Sequence, residues 1–288
     1  MITMNERLKN AKIKDIAVTN LIYYDSVKEE FLKQFCYRNR ISYLPAADRK
    51  SVYKLNHSGF TRISLSQDYC LAPDELLFDL NTVKKFEKID ENEIKFLVDK
   101  GSIIGVVHIV DYNNEFVAVE IYRSFYRFEN ALRSLLMKNG LSNEDLISWV
   151  KINSDDEMFN SNGGFYWSDK YKRLMPLDPI KLSKVEKQRS MVYPFQTFYF
   201  SDLLEYALDI NLLDRNIFIT KSLYQLRNFM AHNRHFIAMA ESDEGQLIYN
   251  FNHLKNFVKN INTFFYASEE LERLLNNNIK TSDSILIF

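Results

Sequence analysis

The stretch YQLRNFMAHNRH, Tyr224 to His235, places an Arg, an Asn, two His and a second Arg in one short helical segment. Two of the chain's five histidines, His232 and His235, fall within four positions here. Leu226, Phe229 and Met230 give the segment an apolar side, so the polar groups are carried on its other faces. Such a cluster serves chemistry, contacts nucleic acid, or edges a helical bundle with polar groups. The rest of the chain bears on the choice.

With 288 residues, 46% hydrophobic and 26% charged, the chain is long enough for one or two domains with proper cores. Lys+Arg number 37 against 38 Asp+Glu, so no global basic field points to a nucleic-acid partner and any such contact must come from a local patch. There are 22 Phe and 17 Tyr but only 7 Gly and 5 Pro, which favours long packed helices over a turn-rich β fold. The two cysteines, Cys36 and Cys70, match neither a disulfide framework nor a zinc-ligand spacing and read as small core residues in a reducing compartment. The first residues, MITMNERLKNAKIKDIA, contain no apolar signal core, and no run of about 18 apolar residues occurs. The expectation is a cytoplasmic protein without a membrane span and without a required metal or cofactor.

The texture changes near residue 113, dividing the chain into residues 1–113 and 114–288. In the first part, IAVTNLIYY reads as a strand. SVKEEFLKQFCYRN reads as a helix with Val27, Phe31 and Phe35 on its apolar side and Ser26 as N-cap. ISYLPAAD reads as a strand ended by Pro45, and VYKLNHSGFTRISL continues in β alternation. PDELLFDLNTVKKFEK is helical, with Pro73 near its start. EIKFLVDKGSIIGVVHIVDYN is a hairpin turning at Asp99-Lys100-Gly101.

In the second part, Val117, Ile121, Phe125, Phe128, Leu132, Leu135 and Leu136 hold helical periodicity for about five turns, with Gly140 as its terminator. SNEDLISWV starts another helix at a Ser142/Asp145 capping pair. Residues 151–194 lack clear periodicity and read as a polar insertion. Further helices follow around FQTFYFSDLLEYALDI and RNIFITKSLYQLRNFMAH, and GQLIYNFNHLKNFVKNINTFFYASEELERLL reads as a long final one. The fold class is α+β: an N-terminal α/β module, then an all-α bundle of four or more helices.

Two resemblances follow. KFLVDKGSIIGVVHIVDYN resembles the last two strands of a CBS domain, with its turn glycine, Gly105 opening the second strand and Asp111 at that strand's end; RISYLPAAD resembles a strand of the first unit of a CBS pair. The resemblance implies an adenosine-type nucleotide effector (AMP, ATP or S-adenosylmethionine) near Tyr43, Pro45, His108 and Asp111. Asp111 would take the ribose hydroxyls, and His108 stands where the family carries a phosphate-holding Ser or Thr. Read from the residues alone, Asp111 is also a strand-terminal turn former and His108 a buried histidine. Arg227-Asn228-Phe229-Met230-Ala231-His232 fits the R-polar-x-x-x-H motif of HEPN domains, and YRFENALRSLL, with Glu129 and Arg133, resembles that family's first helix. This implies a metal-independent endoribonuclease of the kind found in toxin–antitoxin and anti-phage systems, with a cognate antitoxin or defence partner.

The chemistry is consistent with that. RNA cleaves when its own 2′-OH attacks the adjacent phosphate, which needs an acid–base group and positive charge. His232 supplies the first, Arg227 stabilises the phosphorane, and Asn228 orients the histidine or donates to phosphate. Arg133, Arg234 and His235 are candidate RNA contacts. On an ideal helix five residues turn through about 140°, so Arg227 and His232 do not share a face, whereas Asn228 and His232 do. Both groups meet one phosphate only if the helix distorts near Ala231 or a second chain supplies part of the site, and the HEPN resemblance implies the latter, a homodimer with both motifs across one cleft. The alternative from another class is a non-catalytic module that grips RNA or a protein with the same residues; a polar edge on the bundle is the third.

Overall fold

The computed structural model describes residues 5–88, 94–155, 166–231, 235–237, 239–241, 247–249 and 251–283. A helical turn, α1 (Glu6–Lys9), is followed by extended chain, a one-turn 3-10 helix at Ser26–Lys28 and α2 (Glu29–Asn39), which ends at Arg40 in the left-handed region (φ 54°). Strands β1 (Tyr43–Pro45), β2 (Ser51–Asn56) and β3 (Gly59–Ser64) form an antiparallel sheet in that order. Then come β4 (Cys70–Leu71), α3 (Leu80–Lys84), β5 (Ile94–Asp99) and β6 (Ser102–His108), with β4 parallel and β6 antiparallel to β5. The β5–β6 turn is as the sequence suggests: Lys100 and Gly101 both have positive φ (48° and 77°), the twist that a two-residue hairpin needs.

Several local expectations change. IAVTNLIYY is extended but not a strand, because its backbone is divided between two sheets: Val18 exchanges hydrogen bonds with Val106 of β6 (2.9 and 3.0 Å), while Tyr24 N–H donates to the Pro45 carbonyl (2.9 Å). Gly105 lies inside β6 rather than opening it, and a Cβ there would come within 3.1 Å of the Val18 carbonyl. The cap before α2 is Asp25, which accepts the Val27 N–H (3.0 Å), not Ser26. The buried face of α2 is Leu32 and Cys36, packed with Leu44, Tyr24, Leu55 and Phe60, while Val27 is 90% and Phe31 66% exposed. Residues 73–79 stay out of α3, since the Pro73 and Glu75 carbonyls accept from Lys14 and Ile13; the helix starts where Asp79 accepts the Asn81 N–H (2.7 Å). Cys36 is buried, its thiol pushed up in pKa by burial, and Cys70 is partly exposed.

The helical region opens with α4 (Glu115–Lys138), whose seven periodic apolar residues from Val117 to Leu136 are all buried. Each contributes roughly 1.5–3 kcal/mol relative to exposure. Gly140 (φ 72°) ends it, with Leu141 N–H on the Leu136 carbonyl and Gly140 N–H on Met137, the Schellman pattern. Helix α5 (Asn143–Asp155) starts at the Ser142/Asp145 pair: Ser142 N–H donates to Asp145 (2.8 Å) and Asp145 N–H to Ser142 Oγ (3.3 Å). The stretch 151–194 is not a plain loop: besides the end of α5 it holds α6 (Tyr166–Leu174) and α7 (Pro179–Ser190). Next are α8 (Phe200–Asp209) and α9 (Thr220–Ala231). The region is not all-α either, because β7 (Met239–Glu241) pairs antiparallel with β8 (Leu247–Tyr249) before α10 (Phe251–Asp283). Strands of three residues are too short to leave an alternating pattern in sequence.

Packing groups the chain into two units. One comprises Asn5–Arg123 and Gln225–Asn262; the other, Ser124–Tyr224 and the chain from Thr263 onward. Residues 5–113 therefore share a unit with the segment that follows Tyr224. Among the described residues, no helix is long and apolar enough to cross a membrane.

Candidate functional site

The last two turns of α9 carry Arg227 and Asn228, the first two residues of the motif. Leu223 and Leu226 are buried on one side, which leaves Arg227 half-buried and Asn228 exposed. The helix ends at Ala231, and His232 and Arg234, the other motif and contact candidates, lie outside the described residues. His235 is exposed, while the next two residues turn inward: Phe236 and Ile237 are buried.

What holds this segment was not visible in the sequence. Asn113 clasps the Ile237 backbone from both sides, its Nδ2 donating to the carbonyl (2.9 Å) and its Oδ1 accepting the N–H (2.9 Å). Phe236 sits edge-on to Phe229 (5.8 Å between centroids) and stacks on Phe257 of α10 (4.7 Å). Phe257 meets Phe78 (6.1 Å), which meets Tyr112 (6.5 Å). A continuous aromatic series thus runs from the motif helix to Tyr112, within one unit. The Asn113–Ile237 pair is separated by 124 residues, and no periodicity links such positions.

Tyr112 follows Asp111 directly, and here two of the proposed ligand residues come together. His108 N–H donates to Asp111 Oδ2 (2.7 Å), and Val110 N–H donates to His108 Nδ1 (3.1 Å), so the pair caps the 3-10 turn Ile109–Asn113. Burial pushes the Asp111 carboxyl up to about 6, with the His108 N–H working the other way, and burial lowers the His108 pKa. The other two ligand candidates lie on β1. Tyr43 is buried edge-on to Phe96 (6.0 Å), and buried Pro45 presents its carbonyl to Tyr24.

Next to Pro45 is an open groove of about 850 Å³, bordered by Tyr24, Phe31, Ala46, Asp48, Tyr53 and Arg62 among others. Tyr24 stacks on Tyr53 (3.7 Å) and donates to Glu29 (2.6 Å), a bond that with burial lifts its phenol pKa to about 12. Arg62 is paired with Asp48 and donates to Ser51 Oγ (2.8 Å). The volume falls in the range of small-molecule sites.

Arg133, the remaining RNA-contact candidate, belongs to the other unit. It is mostly buried, donating to Glu129 (3.4 Å) and to the Phe195 carbonyl (3.4 Å). Among the described residues no group of three or more His, Cys, Asp and Glu is placed to hold a metal ion. No family model, curated protein or solved structure matches the chain.

Proposed function

We propose that the protein is an endoribonuclease of the HEPN type that needs no metal ion and leaves 2′,3′-cyclic phosphate and 5′-hydroxyl ends. The observation that carries the reading is the Arg227-Asn228-x-x-x-His232 spacing at the end of α9, with Asn228 exposed and Arg227 half-buried. His232 acts as general base or acid, Arg227 stabilises the phosphorane and Asn228 orients. Removing a general acid–base group costs about 10²–10⁴ in rate, and removing one stabilising donor about 10²–10³. RNA incubated with the protein in excess EDTA should be cut, with losses of those sizes in His232→Ala and Arg227→Ala. Cleavage that vanishes in EDTA, or persists unchanged in His232→Ala, defeats the reading. RNA binding without any cleavage by the wild type favours a non-catalytic module instead.

The working unit is a homodimer whose two motifs share one cleft, and its setting is toxin or anti-phage defence with a cognate partner. Mixing Arg227→Ala with His232→Ala chains should restore activity in part if the sites are composite. An adenosine-type nucleotide bound by the N-terminal part adjusts the motif through the Asp111–Tyr112 turn and the aromatic series to Phe229. A ligand shifts such an equilibrium only by its difference in affinity for the two states. Calorimetric titration with AMP, ATP and S-adenosylmethionine, using Asp111→Ala as control, tests it; no heat with any of them removes the sensor and leaves the nuclease standing.

A further inference from the structure

Residues 166–194 carry seven basic residues, Lys170, Lys172, Arg173, Lys181, Lys184, Lys187 and Arg189, against three acids, Asp169, Asp178 and Glu186, in a chain whose net charge is −1. Four of the seven cations have partners within the chain, three of them at least partly buried and Lys172 in an exposed pair. Lys170 pairs with Asp202 (3.1 Å) and Glu205 (3.2 Å), Arg173 with Asp202 (2.9 Å), and Lys172 with Asp169 (3.5 Å), while Arg189 turns inward to the Leu174 carbonyl. The other three are Lys181, Lys184 and Lys187 on α7. All three are exposed, and none has an ion-pair partner among the described residues.

Helix α7 is unusual in its support. None of its residues is buried, so packing does little to hold its twelve residues, a length at which isolated helices are marginal. Its ends are fastened instead. Asp178 accepts the Ile180 and Lys181 N–H groups (2.8 and 3.3 Å), Pro179 opens the first turn, and Arg189 anchors the last turn. The three lysines recur every third residue, so they occupy an arc of about 120° and rise about 4.5 Å from one to the next. Glu186 points about 160° away from Lys184. The half-buried Leu182 and Val185 are the side turned toward the protein.

We propose that this face of α7 binds the phosphate backbone of a single-stranded nucleic acid, with Lys181, Lys184 and Lys187 on successive phosphates and exposed Tyr193 as a ring for base stacking. Lysines that already have acid partners gain little from a phosphate; these three have none to give up. A lipid surface fits less well. Exposed apolar residues gather at the two ends of the helix, at Leu177 and first-turn Ile180 and at Met191 to Tyr193, and no apolar stripe runs along the helix to enter a bilayer interface. The balanced charge of the whole chain makes a local surface of this kind necessary for any nucleic-acid contact.

The test uses the full chain carrying His232→Ala, so that cutting does not interfere, and a labelled 20-nucleotide single-stranded RNA read by fluorescence anisotropy at several salt concentrations. Replacing Lys181, Lys184 and Lys187 together by Ala should weaken binding roughly 100-fold at low salt and make the log–log salt slope shallower by about 2. Replacing all three by Arg should restore the slope. Melting followed by circular dichroism should stay unchanged, because the three side chains touch no core. An unchanged affinity and slope in the Ala variant overturns the proposal. So does wild-type binding to phosphatidylserine vesicles or polyglutamate with no binding to RNA. Lysine-dependent RNA binding by a wild type that never cleaves RNA would remove the nuclease reading and leave this surface intact. Cleavage that is indifferent to the lysines would do the reverse.

Discussion

Each unit buries a lysine, but the two satisfy its charge differently. In the unit containing α6 and α8, a lysine is buried: Lys170, 7% exposed, lies beneath Tyr166 and Trp167 (4.4 and 4.3 Å from the ring centroids) and beside Asp202, 0% exposed, and Glu205. Tyr224 donates to Glu205 from the other side (3.1 Å), and Trp149 closes the ring around the ammonium (5.9 Å). Burial alone would lower the Lys170 pKa, but the Tyr166 hydrogen bond and the Asp202 and Glu205 charges outweigh it and raise it. The unit containing the α9 motif also buries a lysine, Lys95 (0% exposed), but satisfies it without a carboxylate cluster: it donates to the Asp68 carbonyl and lies over the Tyr69 ring (5.6 Å), while the ring series Phe229, Phe236, Phe257, Phe78 and Tyr112 packs ring on ring. Charges in low dielectric are directional and fail as a group when one member goes, whereas ring packing degrades in steps. One cluster joins α6 to α8, and the ring series joins the motif helix to the turn at Asp111.

The comparison breaks most visibly at Phe257. Replacing this buried ring by Ala should cost about 3–5 kcal/mol in urea unfolding, and Phe257→Leu, which keeps apolar volume but no ring, a large part of that; a Leu variant as stable as wild type would mean that ring contact is not what joins the series. Lys170→Met leaves buried Asp202 with Arg173 and the Tyr199 N–H and should cost about 3 kcal/mol. A double-mutant cycle of Lys170→Met with Glu205→Gln should show a coupling of about 1–3 kcal/mol. Additive losses there would reduce the cluster to ordinary packing.

Smaller effects sharpen the picture. Asn113→Ala strands the buried Ile237 backbone and should cost about 1–2 kcal/mol; hydrogen exchange at the Ile237 amide should rise selectively if the clasp is what holds residues 235–237. An effect of similar size, visible only as a pH dependence, belongs to Asp111. Its folded pKa is raised to about 6 from 3.8, so between those values the folded chain holds a proton the unfolded chain has lost. Its contribution to stability is therefore fully present below about pH 4 and fades as pH rises to about 6. Relative to Asp111→Asn, the wild type should lose on the order of 2 kcal/mol across that window. A flat difference curve would show that the carboxyl is not held in this environment.

Much of the secondary structure could be read ahead. The α4 stripe is legible because seven large apolar residues at helical spacing have one way to be buried together. The Lys100-Gly101 turn is legible because a two-residue hairpin demands positive φ at both positions. Gly140 and the Ser142/Asp145 pair are legible because helix ends need local partners. In α2, by contrast, the apolar spacing of Val27, Phe31 and Phe35 misleads in part: Phe35 packs against the Leu32–Cys36 side, whereas Val27 and Phe31 face solvent. The sheet beside it packs on Leu32 and Cys36, and residues on a helix of mixed apolar pattern cannot declare which side a distant strand will cover. The helices α6 and α7 escaped notice because one buries a lysine and the other buries nothing, so neither has an apolar period.

The candidate sites divide the same way. Sequence alone determined the identity and spacing of Arg227, Asn228 and His232, the helix that carries the first two, and the near-zero net charge that confines polyanion contacts to a patch. These are local or additive properties, set by neighbours a few positions apart or by a sum over the chain. Only the tertiary structure decided that Asn113 grips Ile237, that Asp111 is spent on the His108 amide within a turn, that four of the seven basic residues of 166–194 are neutralised by acids or turned inward, and that three on α7 are left to solvent. The Asn113–Ile237 clasp and the Lys170 and Arg173 pairs depend on which surfaces meet across gaps of tens to more than a hundred residues, and the His108–Asp111 and Lys172–Asp169 pairs, though local, depend on how the packed chain turns there. Packing sets those meetings, and a one-dimensional pattern does not encode them.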